Sequence, residues 1–299
     1  MRVLLCGATG FIGRHIARAL RDHGHQVLAA SRSGQAAVGQ QALAVNFMAL
    51  TQPSDWLPLL TGVDAVINAV GVLRDSRRQP MQLLHTQAPQ ALFQACADAG
   101  VRRVLQVSAL GIEGQDSAFA LTKAEADNTL LALTERGELD GVVLRPSVVF
   151  GRGGAGSELF VKMSRLRWLA LPPEGRRTLI QPVAVPDMAN ACAQLLGPAS
   201  ATRGLLVCTG PQALSLEALL ASLRQQRGDK PARVSTMPAA LARGSAWAGD
   251  LLPCTPWGRQ TLGLLQRDNT ASVAEAAQFA AVLGHAPCPP DQLLARTWS

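Results

Sequence analysis

The chain has 299 residues, 48% of them apolar and 16% charged, enough apolar material for a sizeable core and the wrong composition for a disordered chain. Lysine and arginine outnumber aspartate and glutamate by 28 to 21, which suits anionic ligands, but no basic stripe interleaved with aromatics marks a nucleic-acid partner. The opening MRVLLCGATG is unlike a secretory signal, and no run approaches the ~18–20 apolar residues of a membrane span. A soluble, cytoplasmic chain is expected, with peripheral contact to the inner membrane left open. The six cysteines form no C-x-x-C pair, so neither a metal site nor a redox motif is expected.

In chain order, the apolar run Val3–Cys6 predicts a strand buried on both faces. Ile12, Ile16, Ala19 and Leu20 give a helical spacing over Phe11–His23. Strands follow at Gln26–Ala30, Leu43–Asn46 and Asp64–Ala69, then a long helix from Met81 to Ala99 closed by Gly100. Arg103–Val107 and Val142–Leu144 read as strands on either side of a helix at Ala118–Thr134. This alternation predicts an α/β, Rossmann-type doubly wound parallel sheet with ligands at the carboxyl ends of its strands. Past Gly151 the pattern changes. An amphipathic helix is expected at Ser157–Leu169, and a loop at Pro172, Pro173 and Gly175. Leu179–Val185, a helix at Asp187–Leu196 and Leu205–Thr209 are read as a return to the sheet. The expected division is a dinucleotide-binding domain at 1–150, joined by 178–210, with 151–177 and 211–299 as a smaller, mostly helical substrate or lid lobe.

Gly7-Ala8-Thr9-Gly10-Phe11-Ile12-Gly13 has the form G-x-x-G-x-x-G, with a predicted strand before it and a helix after it. Gly7 permits the tight turn, Gly10 lets a pyrophosphate approach the backbone, and Gly13 lets the helix pack close to the strand. The helix N-terminus then offers N–H groups and a partial positive charge to phosphates. No acidic residue stands between Asp22 and Asp55 to hold a ribose 2′-hydroxyl. The second strand instead ends at Ser31 and Arg32, a hydroxyl and a guanidinium suited to a 2′-phosphate, so NADP(H) is expected over NAD(H). Arg14, just past the third glycine, is a candidate for a second phosphate contact.

The motifs GATGFIG, VINAVG (Val66–Gly71), QVSALG (Gln106–Gly111) and RPSVVFG (Arg145–Gly151) occur in the order found in extended and atypical short-chain dehydrogenases/reductases, and the chain resembles that family. QPVAVPDMA (Gln181–Ala189) and LLQRDNTAS (Leu264–Ser272) resemble segments of its atypical members related to the nucleotide-binding accessory subunit of respiratory complex I. The resemblance implies that the backbone at Asn46 and Phe47 lies near the adenine, and that Asn68, Ala69, Val70 and Gly71 line the cofactor pocket. It further implies that Ser108 is the active-site serine, that Lys123 holds the nicotinamide ribose, and that Pro146, Ser147 and Val148 pass the carboxamide. In active members a tyrosine precedes the lysine by four positions. Here that position is Phe119, and the chain has no tyrosine at all. The expected function is therefore an NADP(H)-binding protein with a structural, sensing or respiratory accessory role and an unknown small-molecule substrate. The alternatives are a reductase with a substitute proton donor (Ser108, Thr122 or His85) and, less favoured, a nucleotide-sugar epimerase or dehydratase.

Other candidates have simpler readings. His23 and His25 lack further metal ligands, and Glu113 and Asp116 are either a solvated loop or substrate contacts. Lys162, Arg165, Arg167, Arg176 and Arg177 read as a solvated helix face and loop. Trp247 and Trp257, near Leu251, Leu252 and Pro253, read as core packing of the smaller lobe.

Overall fold

The short apolar runs become strands with both faces covered. In the computed structural model, which describes residues 1–198, 200–250 and 257–298, seven of them form one sheet. They are β1 (Arg2–Cys6), β2 (Gln26–Ser31), β3 (Gln41–Ala44), β4 (Ala65–Asn68), β5 (Arg103–Val107), β6 (Asp140–Pro146) and β7 (Gly204–Cys208). Their order is β7-β6-β5-β4-β1-β2-β3. β1 to β6 pair in parallel, with Leu4 opposite both Leu28 and Val66. Parallel neighbours need helical crossovers, supplied by α1 (Phe11–Asp22), α2 (Ala88–Asp98) and α3 (Ala118–Glu135). Leu4, Cys6, Val66, Val104 and Val143 share one core with Leu92 and Cys96 of α2 and Ala126 and Leu130 of α3. The intervening Val3, Leu5, Ile67, Leu105 and Val142 are equally buried. This is the expected Rossmann arrangement. The chain runs outward from β1 to β2 and β3, then returns to β4 on the other side of β1. That reversal opens a crevice at the carboxyl ends of β1 and β4.

Leu179–Val185, expected to return to the sheet, pairs outside it, Leu179–Ile180 with Leu214–Ser215 and Val183–Ala184 with Val149–Phe150. Two further elements differ from expectation, each for a physical reason. The helix expected at Met81–Ala99 begins as a π-helical turn, Gln82–Gln87, before α2. Pro89 has no N–H to give the His85 carbonyl, and its ring crowds that carbonyl, so the turn widens. The helix expected at Ser157–Leu169 spans Ala155–Ser164 and gives way to a strand at Trp168–Leu171 paired with Arg233–Thr236. The buried Arg224 guanidinium takes the carbonyls of Ser164 and Leu166 at 2.6 and 2.8 Å, which satisfies acceptors that another helical turn would have used. The run Trp168-Leu169-Ala170-Leu171 alternates exposed and buried, the period of a strand, and Leu166 is exposed rather than packed.

The chain divides into two compact units. One comprises Met1–Pro146, Met188–Val207 and Ala281–Leu283; the other comprises Ser147–Asp187, Cys208–Ala280 and Gly284–Ser299. Within the second, Gln181 is a clip, donating to the Gly210 carbonyl at 2.7 Å and accepting from the Ala271 N–H at 2.9 Å. In the same unit Trp247 is exposed, and the Trp257 indole donates to Ser245 Oγ at 3.2 Å. Leu251, Leu252, Pro253 and Cys254 lie outside the described residues. Cys6, Cys96, Cys192, Cys208 and Cys288 are buried, and no disulfide joins them.

Candidate functional site

The glycine turn sits at the crevice and has the geometry of a phosphate cradle. Gly7 has φ +80°, and a Cβ there would lie 2.9 Å from the Ala69 carbonyl oxygen. A Cβ on Gly13 would overlap the Gly7 carbonyl oxygen and come within 2.8 Å of its carbon. α1 is capped by Gly10, which offers no side-chain hydrogen bond, and its first turn carries no acid, so its N-terminal field is not neutralised by its own residues. A recess of about 470 Å³ opens beside the turn, lined by Ala8, Thr9, Arg14, Arg18, Arg21 and Gln35 among others. The Arg14 guanidinium also lies over the Phe11 ring, 5.6 Å from its centroid. These residues fit a dinucleotide diphosphate: the backbone is bare where phosphate must approach, and the surrounding charge is positive.

At the end of β2 the two phosphate candidates part. Ser31 is buried and donates its hydroxyl to the Gln35 carbonyl at 3.1 Å. Arg32 is exposed, and with the Gln79 amide turned to face it both terminal guanidinium nitrogens reach the amide oxygen, at 3.0 and 2.9 Å. Asn46 caps a 3₁₀ turn by accepting from the Met48 N–H at 3.3 Å. Phe47 is buried against Trp56, with ring centroids 5.8 Å apart.

At the end of β4, Asn68 donates to Gln106 Oε1 at 2.8 Å and accepts from the Val70 N–H at 3.2 Å, so the amide shapes the Asn68–Gly71 bend from within. Gly71 is close-packed: a Cβ there would lie 3.4 Å from Lys123 Nζ. Lys123 is carried inward by α3, whose start is fixed by Ser117 accepting from the Ala120 N–H. Its Nζ donates to the carbonyls of Val107 and Val70 at 3.0 and 3.2 Å. Burial lowers its pKa to about 8. Phe119, one turn earlier on α3, is buried with Met81, Ile112 and Ala120 and meets the His85 ring edge-on at 5.6 Å. Burial and the Lys123 charge hold His85 neutral, with a pKa of about 3.

Ser108 belongs to a buried network that local sequence reading missed. Its hydroxyl donates to Asp127 Oδ2 at 2.7 Å, and Arg145 Nε donates to the same oxygen at 3.1 Å. Arg145 also pairs with Glu113, so that loop acid is anchored to an arginine. Asp127 is fully buried, and among the described residues its Oδ1 has no hydrogen-bond partner. Burial raises its pKa to about 6, against the opposing pull of the Ser108 hydrogen bond and the Lys123 charge. The available signal was the spacing Lys123–Asp127, two opposite charges one turn apart on the same face of a predicted helix.

The first unit thus brings together Gly7–Gly13, Asn68–Gly71, Ser108, Phe119 and Lys123 with Pro146, whose carbonyl accepts from the Leu110 N–H at 2.8 Å. Ser147 and Val148 fall in the second unit, where Ser147 Oγ donates to the Asn269 carbonyl at 2.8 Å and accepts from the Gln181 N–H at 3.1 Å. Among the described residues no group of three His, Cys, Asp or Glu is placed to hold a metal ion.

A family model described as the NAD dependent epimerase/dehydratase family matches residues 3–169. The chain belongs to that family. Membership in this branch of the extended short-chain dehydrogenases/reductases makes NAD(P) its cofactor class, the group the glycine cradle fits. The chain is 28% identical over 217 residues to the mitochondrial NADH dehydrogenase (ubiquinone) 1 alpha subcomplex subunit 9 of Mus musculus, across 69% of this chain and 55% of that protein. It therefore spans little more than half the length of that relative. It is 22% identical over 236 residues to a UDP-glucose 4-epimerase of Vibrio cholerae, across 70% of each chain. Among solved structures, MoeE5 in complex with UDP-glucuronic acid and NAD superposes with a TM-score of 0.74 at 21% identity, covering 99% of this chain and 97% of that one, a likeness of fold.

Proposed function

We propose that this protein holds NADP(H) as a structural or sensing ligand in an accessory role connected to respiratory or quinone chemistry, without the tyrosine-driven turnover of its family. The observation that carries this reading is Phe119. A phenol four positions before the lysine would be activated by the lysine's charge and would move a proton as hydride transfers. Phenylalanine has no proton to move, and its ring is packed against a neutral histidine. The retained Lys123 and glycine cradle support binding all the same. The reading places the protein in the cytoplasm. Among the described residues no helix is long and apolar enough to cross a membrane. The test is to purify the protein, denature it and assay the released dinucleotide. Tightly held NADP(H) with no turnover of carbonyls, quinones or sugar nucleotides supports the proposal, and sugar-nucleotide epimerisation would overturn the reading of Phe119.

The preference for NADP(H) rests on Arg32 and on the missing acid after β2. Arg32→Ala is expected to weaken NADPH binding by about 10- to 100-fold, the loss of ~1.5–3 kcal/mol of charge-assisted hydrogen bonding. NADH binding should change less than about threefold on the same scale. Because Arg32 also holds Gln79, Gln79→Ala is the control, and it should leave both affinities nearly unchanged. Equal losses for the two coenzymes on calorimetry would remove the 2′-phosphate role.

A second reading, an NADP-dependent oxidoreductase with a substitute proton donor, is favoured by one observation: Ser108, at the serine position the resemblance implies, is hydrogen-bonded to a buried acid.

A further inference from the structure

Without a phenol, any proton that accompanies hydride transfer must come from another group, and the hydrogen bonds separate the side chains on offer. His85 Nε2 accepts from the Val72 N–H at 2.9 Å, so Nδ1 carries the proton and donates it to Thr122 Oγ1 at 3.1 Å. Both ring nitrogens are engaged. The Thr122 hydroxyl in turn donates to the Ala118 carbonyl at 2.6 Å, and that chain ends on a backbone oxygen that cannot titrate. Ser108 differs because its hydroxyl ends on a carboxyl group. Its oxygen keeps lone pairs for a second partner while its proton points at Asp127.

Resting on the second reading above, we propose that Ser108 and Asp127 form a proton relay for a carbonyl/alcohol pair, with Ser108 touching the substrate oxygen and Asp127 the positioning residue that stores the proton behind it. In the reducing direction the carbonyl carbon receives a hydride, which is the chemistry the reduced dinucleotide supplies when bound. The C=O π pair moves onto oxygen, which takes the Ser108 hydroxyl proton. When Asp127 is protonated the hydrogen bond between the two runs the other way, so Ser108 oxygen takes the proton from Asp127 Oδ2 as its own leaves, and the buried carboxylate is reprotonated through Ser108 once the alcohol has left. One carbonyl is reduced to an alcohol and one dinucleotide is oxidised. In reverse, an alcohol proton passes through Ser108 to an ionised Asp127.

The surroundings of Asp127 suit a group that changes state. Lys123 on the same helix and Arg145 from β6 favour the carboxylate, while burial favours the acid. Glu113, reaching in from the loop after β5, takes up part of the Arg145 charge. The carboxyl therefore titrates near pH 6 instead of staying ionised. Reduction needs the protonated form and slows as pH rises through that value; oxidation needs the ionised form and slows as pH falls through it.

The experiment uses the full-length protein loaded with NADPH, a panel of aldehydes, ketones and quinones, and the variants Ser108→Ala, Asp127→Asn and Asp127→Glu. Turnover of at least one carbonyl is expected, falling by about 100-fold or more in Ser108→Ala and Asp127→Asn, the usual contribution of a positioned proton donor. NADPH affinity should stay within about threefold. The inflection near pH 6 should vanish in Asp127→Asn and return, shifted, in Asp127→Glu. A readout independent of turnover is the side-chain ¹³C carboxyl resonance of Asp127 in aspartate-labelled protein, which should titrate near pH 6 and move in Ser108→Ala. NADPH failing to bind would defeat the cofactor reading itself. Binding with no carbonyl turnover would overturn the relay and leave the accessory reading standing. Turnover that Asp127→Asn leaves intact, or an Asp127 resonance that stays ionised down to pH 4, would overturn the relay while sparing the reductase.

Discussion

Gly13→Ala is expected to remove tight dinucleotide binding, with a loss of at least about 100-fold, or ~2.7 kcal/mol. A methyl at residue 13 would overlap the Gly7 carbonyl oxygen and press on the Gly7 carbonyl carbon and Ala8 Cα, all of them backbone. No side chain can turn aside, so α1 must back away from the turn. Its N–H groups then leave the position where the diphosphate would sit, and the field that helix N-terminus provides falls off within a turn. The strain is also felt without ligand, because Ile16, Ala17 and Leu20 of α1 are fully buried and must shift with it. Gly10→Ala is the informative comparison. A methyl there meets the Gly7 oxygen at 3.2 Å, a tight contact but not an overlap. Its melting temperature should drop less than that of Gly13→Ala, while NADPH binding still suffers because the methyl stands where phosphate must approach. Calorimetric titration and thermal melts of both variants check this. Wild-type affinity in Gly13→Ala would mean that the diphosphate does not lie on this turn.

Whether a feature was legible in the sequence depended on how far apart its parts lie along the chain. The glycine turn was legible because its requirement is local: three positions within seven residues must lack a Cβ, and the flanking runs show a strand before and a helix after. The parallel sheet was legible for a similar reason, since strands buried on both faces are continuously apolar. The end of the helix at Ser164 was not, because the residue that ends it, Arg224, lies 60 positions later. Helical apolar spacing through Leu166 gave no sign of that competitor. The π-helical turn was written in the chain by Pro89, yet the apolar spacing outweighed it. In the site, Lys123 and Phe119 were found through a motif, whereas Asp127 was not. Its meaning comes from Ser108 on one side and Arg145 on the other, 19 and 18 positions away on two different elements. Ser31 has a partner that the strand-end pattern did not reveal. Its position at the strand end suggested a phosphate ligand, but a loop carbonyl four residues on already takes its proton.

Arg145→Met should destabilise the protein strongly at pH 8 and much less at pH 5, and the size of that difference measures the charge on Asp127. Methionine roughly conserves the apolar stem, so the main change is the loss of the guanidinium that faces Asp127 Oδ2 at 3.1 Å. Removing one partner of a buried ion pair usually costs ~3–5 kcal/mol because the other is left charged and unsolvated. Asp127 has an escape, since it can take a proton. Its pKa in the folded protein is already raised to about 6, above the ~3.9 of an unfolded chain, and without Arg145 it must rise further. A raised carboxyl pKa makes the folded state lose stability as pH climbs from the unfolded value to the folded one. In the wild type that loss ends near pH 6; in the variant it continues above. The two stability curves should therefore run nearly parallel below about pH 5 and separate through neutral pH. Glu113 loses the same partner but is exposed, so water takes over the arginine's role and Glu113→Gln should have little effect. The double variant Arg145→Met/Asp127→Asn removes both charges of the pair and leaves Lys123 on its carbonyl partners, and it should recover most of the stability at pH 8 that the single variant loses. Urea melts of wild type, Arg145→Met, Asp127→Asn and the double variant at both pH values complete the cycle. A gap between Arg145→Met and wild type that is the same at pH 5 and pH 8 would show that Arg145 serves here by its volume, and that Asp127 is not the group whose charge it balances.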